Sequence, residues 1–414
     1  MRFAVVGAGI SGMVCASVLG RTHDVVVLEA APRIGGHTHT VTVESSDETH
    51  SVDTGFIVFN NAYYPHFTRL LELLGVPSQP APMSLSVRCD RSGLEYAGSS
   101  LNSLFAQRSN LIRPAFWRLM RDILRFQKEG VAALAALDDE TTVASFVRGG
   151  GYSEEFLRYF IVPMGSALWS SPAGDFLRFP VRFIIEFFAN HGMMQILGRP
   201  AWRVIQGGSA RYMEKLVESF RGIVRTGTPV QALERHAAQV VVTHSGATEA
   251  FDHVIFACHS DQALAVLGPS ATRAEREILG HFPYQSNDTV LHTDVSVLPR
   301  KRRAWGCWNY HVASDLERSA AVTYNMNLLQ SLRARQTFCV SLNETGIDPA
   351  RIIRRMTYHH PVYRPGRKAM QARHAELIGV NRTSYCGAYW GFGFHEDGVR
   401  SALAVCRHFG AELG

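Results

Sequence analysis

Cysteine is scarce in this chain and solitary where it occurs. Cys15, Cys89, Cys258, Cys307, Cys339, Cys386 and Cys406 form no C-x-x-C pair and are odd in number, so neither a disulfide framework nor a zinc ribbon is expected. Long apolar runs are missing too: no uninterrupted stretch reaches the about 18 residues of a membrane span. Charge of one sign is nearly balanced, Lys plus Arg exceeding Asp plus Glu by only +6. That mild excess suits an anionic cofactor or a membrane surface and gives no reason to expect nucleic acid. Repeats and low-complexity linkers are absent, and 46% apolar with 19% charged residues excludes disorder, collagen and coiled coil. The chain opens directly on an apolar run ending in glycines, so no leader is expected. These absences lead to the expectation of a cytoplasmic protein, at most peripheral on the inner face of a membrane. His37-Thr38-His39 and His359-His360 have no companion cysteine or H-E-x-x-H, so no metal is expected. Gly208-Ser209 lacks the second glycine of a nucleophile elbow.

What is present starts at the first residues. Arg2 to Val6 reads as a buried strand, Gly7-Ala8-Gly9-Ile10-Ser11-Gly12 as a turn, Met13 to Arg21 as a helix and Val25 to Glu29 as a second buried strand. In such a βαβ unit Gly7 permits the tight turn, Gly9 lets a pyrophosphate approach the backbone, and Gly12 lets helix and strand pack closely. The phosphates then meet free N–H groups and the positive end of a helix dipole, Ser11 lying in that first turn. Glu29 comes 22 residues after Gly7, at the end of the second strand, where a carboxylate accepts from ribose hydroxyls. Dinucleotide binding follows; the hexad alone does not choose between FAD and NAD. Gly35-Gly36, just after the acid, offers a second close backbone approach for a long cofactor.

With 414 residues the chain exceeds what one core usually organises, so two domains are expected. A helix near Pro65 to Leu74 closes at Gly75, and prolines at 77, 80 and 82 mark the first boundary. Arg113 to Gly130 reads as a basic amphipathic helix, with Phe116, Met120, Ile123 and Leu124 on one side and Arg118, Arg121, Arg125 and Lys128 on another. Tyr152 to Trp202 is crowded with aromatic and methionine side chains, which suit either an ordinary core or a greasy cavity. Alternating runs at Gln239 to Thr243 and His253 to Ala257, with a turn at Ser245-Gly246, read as a hairpin returning to a buried strand. A final helix is expected from about Gly398 to Phe409.

The stretch Glu29-Ala30-Ala31-Pro32-Arg33-Ile34-Gly35-Gly36-His37 resembles the flavin-containing amine oxidase superfamily, which includes phytoene desaturases and protoporphyrinogen oxidases. Ser51 to Ile57 resembles the segment that runs under the isoalloxazine there, and Gln206-Gly207-Gly208-Ser209 a turn before a helix. Val230 falls where the family meets the adenine. Cys386-Gly387-Ala388-Tyr389-Trp390-Gly391 and His395-Glu396-Asp397-Gly398-Val399 resemble the C-terminal flavin motif. The resemblance implies noncovalent FAD as cofactor, held by Gly7, Gly9, Ser11, Gly12, Glu29, Ala30, Arg33, Gly35, Gly36, His37, Gly55, Phe56, Ile57, Val230, Gly387, Asp397 and Val399. Gly387-Ala388 departs from the family's Gly-Asp, so Asp397 is the candidate replacement for the missing carboxylate.

Asp53-Thr54-Gly55-Phe56-Ile57-Val58-Phe59-Asn60, Tyr324-Asn325-Met326-Asn327 and Trp390 to Gly398 are similar to a subgroup containing the flavin region of plant cyclopropane-fatty-acyl-phospholipid synthases and bacterial desaturases of methylated acyl chains. That similarity implies an FAD-dependent desaturase or dehydrogenase acting on a fatty acyl or phospholipid substrate by hydride transfer to flavin N5, with His395 or Glu396 as base. Alternatives are an amine oxidase with Tyr389 and Trp390 flanking the flavin, or a noncatalytic flavin-binding partner of a lipid methyltransferase. Helix 113–130 would touch an anionic membrane. The expected fold is α/β: a Rossmann-type FAD-binding domain, parallel sheet plus β-meander, over 1–76, 200–265 and 380–414, with an interleaved α+β substrate domain over 77–199 and 266–379.

Overall fold

The structure, a computed structural model, describes residues 1–44, 48–195, 198, 200–312 and 321–414. Its helices include α1 (Ile10–Leu19), α2 (Pro65–Leu73), α3 (Pro114–Ala133) and α4 (His395–His408).

Strands Arg2–Val6 and Asp24–Leu28 lie parallel with α1 between them, in register from Arg2↔Asp24 to Val6↔Leu28. Their unbroken apolar runs reflect a sheet covered on both faces. Strands from distant parts of the chain complete a five-stranded parallel sheet: Ile223–Arg225 beside Asp24–Leu28, then His253–Phe256 beside Arg2–Val6, and Thr383–Tyr385 at the far edge. On one face Val5, Val27 and Ile255 pack against Met13, Val14 and Leu19 of α1 and Val399 and Leu403 of α4. On the other, Val26, Val254 and Phe256 meet Leu233, Val240 and Phe251 of an antiparallel meander. Each such fully buried side chain contributes about 1.5–3 kcal/mol of transfer free energy. The meander turns at Ser245 (φ 47°) and Gly246 (φ 79°), two positive φ values in succession, the turn whose twist matches that of a strand pair. The fold is therefore α/β, with a Rossmann-like parallel sheet beside mixed β-sheets.

A second sheet of seven strands runs in the order Ile352–Pro361, Tyr284–His292, Cys339–Leu342, Ala321–Asn325, Trp308–Val312, Leu85–Cys89, Leu94–Ala97. Its longest pairing is antiparallel, Tyr284↔Pro361 through Leu291↔Arg354. Helix α3 and the aromatic stretch that follows lie against the far end of this sheet. Phe126, Phe156, Phe176, Phe179, Phe187 and Phe188 pack on one another there, and Gly165 is required because a Cβ would lie 1.9 Å from the Phe176 ring. Residues 196, 197 and 199 of that stretch lie outside the described residues. Along α3 the buried stripe is Phe116, Leu119 and Phe126; Leu124, expected on it, is 53% exposed because it falls at the stripe's edge. The basic side of α3 is partly paired: Arg118 meets Glu155, Arg121 meets Asp122, and Arg125 lies 3.8 Å over the Tyr152 ring. Among the described residues no helix is long and apolar enough to cross a membrane.

Sheet and meander are tied by one carboxylate. Glu249 accepts from Arg2, from Arg225 Nη1 at 2.6 Å and pairs with His244 Nε2 at 3.2 Å. Arg225, then Arg2 and His244, outweigh burial and pull the Glu249 carboxyl down from 4.5 to about 2. A depressed folded-state value stabilises the protein fully above the unfolded value, and the contribution fades as pH falls from 4.5 to about 2. Glu249→Gln is expected to cost about 2 kcal/mol or less at neutral pH and to flatten the acid limb in that window. Urea melts at successive pH values check this.

Candidate functional site

The turn after the first strand is built to bring backbone close. Gly7 (φ 105°) donates to the Leu28 carbonyl at 2.8 Å, and a Cβ on Gly12 would sit 1.9 Å from the Gly7 carbonyl oxygen. Gly9 begins α1 with no side-chain cap, and a Cβ added to it would meet nothing within 4 Å. An uncapped helix start beneath open space is a cradle for an anion. The second glycine turn lies against this one: Gly35 donates to the Ala8 carbonyl at 2.8 Å, and a Cβ on Gly36 would be 3.4 Å from the Gly9 Cα. Arg33 braces that turn by donating to the carbonyls of Ile34, Thr38 and Gly36. Glu29 pins both turns, its carboxylate accepting from Ala8 N at 2.7 Å and Ala31 N at 2.8 Å, with Ala30 exposed between them.

Helix α4 brings a second N-terminus to the same place. Over Gly398 a Cβ would lie 2.9 Å from Ser11 Oγ and 3.0 Å from Ile10 Cγ2, so the positive ends of α1 and α4 adjoin. Val399, one residue on, is buried in the shared core. Gly55 packs equally tightly, since a Cβ would be 2.1 Å from the His37 carbonyl, to which Phe56 N donates at 2.8 Å. Ile57 is buried beside it. Ser209, after the Gly207-Gly208 turn, donates to Asp53 Oδ1 from both its N and its hydroxyl. Val230 opens the meander, half-buried against the other face of the sheet. Gly387 donates from its N to Ser401 Oγ of α4 at 2.9 Å.

The side chains of the C-terminal motif are committed to the scaffold. His395 stacks on Phe56 at 3.5 Å and sits 3.0 Å from the Tyr212 hydroxyl, and its burial keeps the imidazole neutral. Glu396 heads α2, accepting from His66 N at 3.2 Å, His66 Nδ1 at 2.6 Å and Phe67 N at 3.0 Å. Asp397 accepts from Phe392 N, Phe394 N and Arg400, closing the turn that starts α4 at His395, earlier than the expected Gly398. Tyr389 and Trp390 are buried against Phe282, with Trp390 stacked on His374 at 4.0 Å.

The chemistry-bearing cluster that residue spacing did not suggest comes from the second sheet. Tyr284, Asn287, Tyr358 and His360 come to His37, His39 and His259. His37 stacks on Tyr358 at 5.2 Å, lies 5.2 Å from His360 and 6.3 Å from His259, whose ring stacks on Tyr284 at 4.1 Å. The Tyr358 hydroxyl is 2.8 Å from both His39 Nδ1 and Thr54 Oγ1. Asn287 Nδ2 donates to His360 Nδ1 at 2.8 Å. Burial first, then neighbouring bases, keep these imidazoles neutral: His37 and His360 are pushed to about 3, His39 and His259 to about 4. The neighbours responsible are Arg33, Arg354, His359 and the imidazoles themselves. The alternation of Tyr358 and His360 on one strand face was the available signal; their partners come from distant segments, Asn287 73 residues away and His39 319 residues away. Among the described residues no three His, Cys, Asp or Glu side chains are placed to hold a metal ion.

Two helix starts over a glycine cradle form a site of the kind that holds a dinucleotide. The family model for flavin containing amine oxidoreductases matches residues 10–295. The chain belongs to that family; it is an FAD-dependent oxidoreductase, and the open cradle over Gly9 fits the cofactor's diphosphate. No curated protein matches it in sequence. Among solved structures it is similar to a CLA-producing fatty acid isomerase from P. acnes (14% identity, TM-score 0.70, covering 99% of this chain and 98% of that one). It is similar to putrescine oxidase bound to putrescine (12%, TM-score 0.70, 99% of each chain). Cyclohexylamine oxidase from Brevibacterium oxydans IH-35A is alike as well (15%, TM-score 0.67, 99% of each chain). At these identities the likeness is one of fold.

Glu29→Ala frees both Ala8 and Ala31 and is expected to leave the purified protein with about a tenth of its FAD, read from the visible absorbance. Glu396→Gln removes part of the α2 cap and is expected to cost about 1–2 kcal/mol in urea unfolding while the folded fraction keeps its flavin-reduction rate. A rate that falls with unchanged stability would contradict the capping role.

Proposed function

We propose that this flavoenzyme dehydrogenates a fatty acyl chain, and that its substrate reaches the reacting carbon uncharged. The observation that carries this reading is the cluster of bases. His37, His39, His259 and His360 each lose proton affinity to burial first and then to neighbouring imidazoles or to Arg33 and Arg354. An alkylammonium ion entering there meets like charge at the guanidinium groups of Arg33 and Arg354, whereas an apolar chain meets the faces of Tyr358 and Tyr284. The carboxylates nearest in sequence to the glycine turns and to α4, Glu29, Glu396 and Asp397, already accept backbone N–H groups.

Gly7, Gly9, Ser11 and Gly12 would cradle the diphosphate, Glu29 and Ala30 the ribose, and Arg33, Gly35, Gly36 and His37 the stretch that follows. Gly55, Phe56 and Ile57, with Gly387, Asp397 and Val399, would flank the ring, and Val230 the adenine. FAD supplies the two-electron acceptor that the side chains themselves lack. A desaturation also releases a proton. The Tyr358 hydroxyl, 2.8 Å from a neutral His39 Nδ1, is the relay we favour over His395 and Glu396: it can take a proton from carbon and pass its own to the imidazole. The exposed side chains Leu101, Ile112 and Trp117, beside the basic helix α3, suit contact with the bilayer that holds such a chain.

Amine oxidation is the second reading. The family description and the likeness to putrescine and cyclohexylamine oxidases favour it. It requires the amine to arrive unprotonated.

The two readings separate on anaerobic mixing of the FAD-loaded protein with methylated long-chain acyl compounds, as free acids and as phospholipid vesicles, and, in parallel, with primary alkylamines. Bleaching of the flavin band by the acyl chains alone is expected. Bleaching by amines with no response to any acyl compound would overturn the proposal.

A further inference from the structure

Arg367 opens the short helix Arg367–Ala372 and is only 6% exposed. Its guanidinium carbon lies 3.7 Å from the centroid of the Tyr363 ring and 4.4 Å from that of Phe183. Its Nε and Nη2 have no hydrogen-bond partner among the described residues. Taking an ionised guanidinium out of water costs several kcal/mol, and each desolvated contact with an aromatic face returns about 2 kcal/mol or more. Both rings serve the flat faces of the guanidinium and leave its in-plane Nε and Nη2 donors without an acceptor. Burial draws the guanidinium down to about 10, which leaves it charged at neutral pH.

Asp397 contributes a field but no contact to spare, because its oxygens serve Phe392 N at 2.9 Å, Phe394 N at 3.0 Å and Arg400 at 2.7 Å. The surroundings are otherwise apolar and lead toward α4. Phe183 stacks on Phe392 at 5.2 Å, and the Tyr363 hydroxyl donates to the Phe392 carbonyl at 2.9 Å. Gly393, with φ 92°, accommodates that hydroxyl, which would lie 2.0 Å from a Cβ. An Nε–H and an Nη–H left free together are the pair that a carboxylate engages side-on with two parallel hydrogen bonds.

We propose that Arg367 anchors the carboxylate of an apolar, chain-like acid, the rings of Phe183, Tyr363 and Phe392 covering the first carbons of the chain. The proposal rests on the acyl-chain reading above and narrows it to a free acid.

Equilibrium dialysis of the FAD-loaded protein against labelled palmitate and its methyl ester tests it, since the ester keeps the chain and loses the charge. The wild type is expected to hold the acid about tenfold or more tighter than the ester, the effect of a charge-assisted hydrogen bond pair. Arg367→Gln should bring the acid to the ester's level with FAD content unchanged, and Arg367→Lys should keep part of the preference. Equal wild-type affinity for acid and ester overturns the anchor and leaves the acyl reading standing. Failure to bind either compound overturns both. Loss of FAD from Arg367→Gln would assign the guanidinium to the cofactor and also overturn the proposal. Should that variant not fold, the wild-type comparison and Arg367→Lys still decide.

Discussion

Over Gly398 there is so little room that any Cβ would press on Ser11 and Ile10. This contact sets α4 beside α1, start against start, and the rest of the molecule is arranged around it. Two positive helix ends so close together are unfavourable to each other, which the first-turn acids Glu396 and Asp397 of α4 temper. The two ends are held together by the burial of Met13, Val14, Val399 and Leu403 between the helices. The fold thus holds a strained electrostatic arrangement with apolar packing, and the function draws on the arrangement.

Carboxylates near the site show how polar groups are divided between scaffold and chemistry. Glu29 pins two glycine turns, Glu396 heads α2, and Asp397 closes the turn before α4. Each accepts backbone N–H groups that would otherwise be left bare, and a buried bare N–H is costly. With its acids spent in this way, the site takes its electrical character from imidazoles and guanidinium groups. Burial holds the imidazoles neutral, which makes them acceptors of protons and hydrogen bonds where solvent-exposed histidines would carry partial charge.

The second sheet carries the cluster to the glycine turns. Strands Tyr284–His292 and Ile352–Pro361 are long and antiparallel, so alternate side chains along them face one way. That alternation delivers Tyr358 and His360 together, while the ring of the intervening His359 lies 6.2 Å from His259. The aromatic stretch after residue 152 and the loop at 391–394 then meet around Arg367, joining the greasy part of the molecule to the helix start.

Local chemistry was enough for part of this. The apolar runs at Arg2 to Val6 and Val25 to Leu28, with Gly7, Gly9, Gly12 and Glu29 between and after them, determine a strand–helix–strand cradle for a dinucleotide. Those residues interact within one continuous segment, where spacing translates directly into geometry. The family and its flavin were likewise legible, because their motifs are short and contiguous. Tertiary structure alone decided which faces the isolated signals would serve. His395 and Glu396 looked available in a row of polar residues, but one faces Phe56 and Tyr212 and the other meets α2. His37, His259 and His360 looked unrelated, and a sheet assembled from distant strands brought them into one cluster. Long-range pairing has no local period to betray it, so its results appear only when the chain has folded.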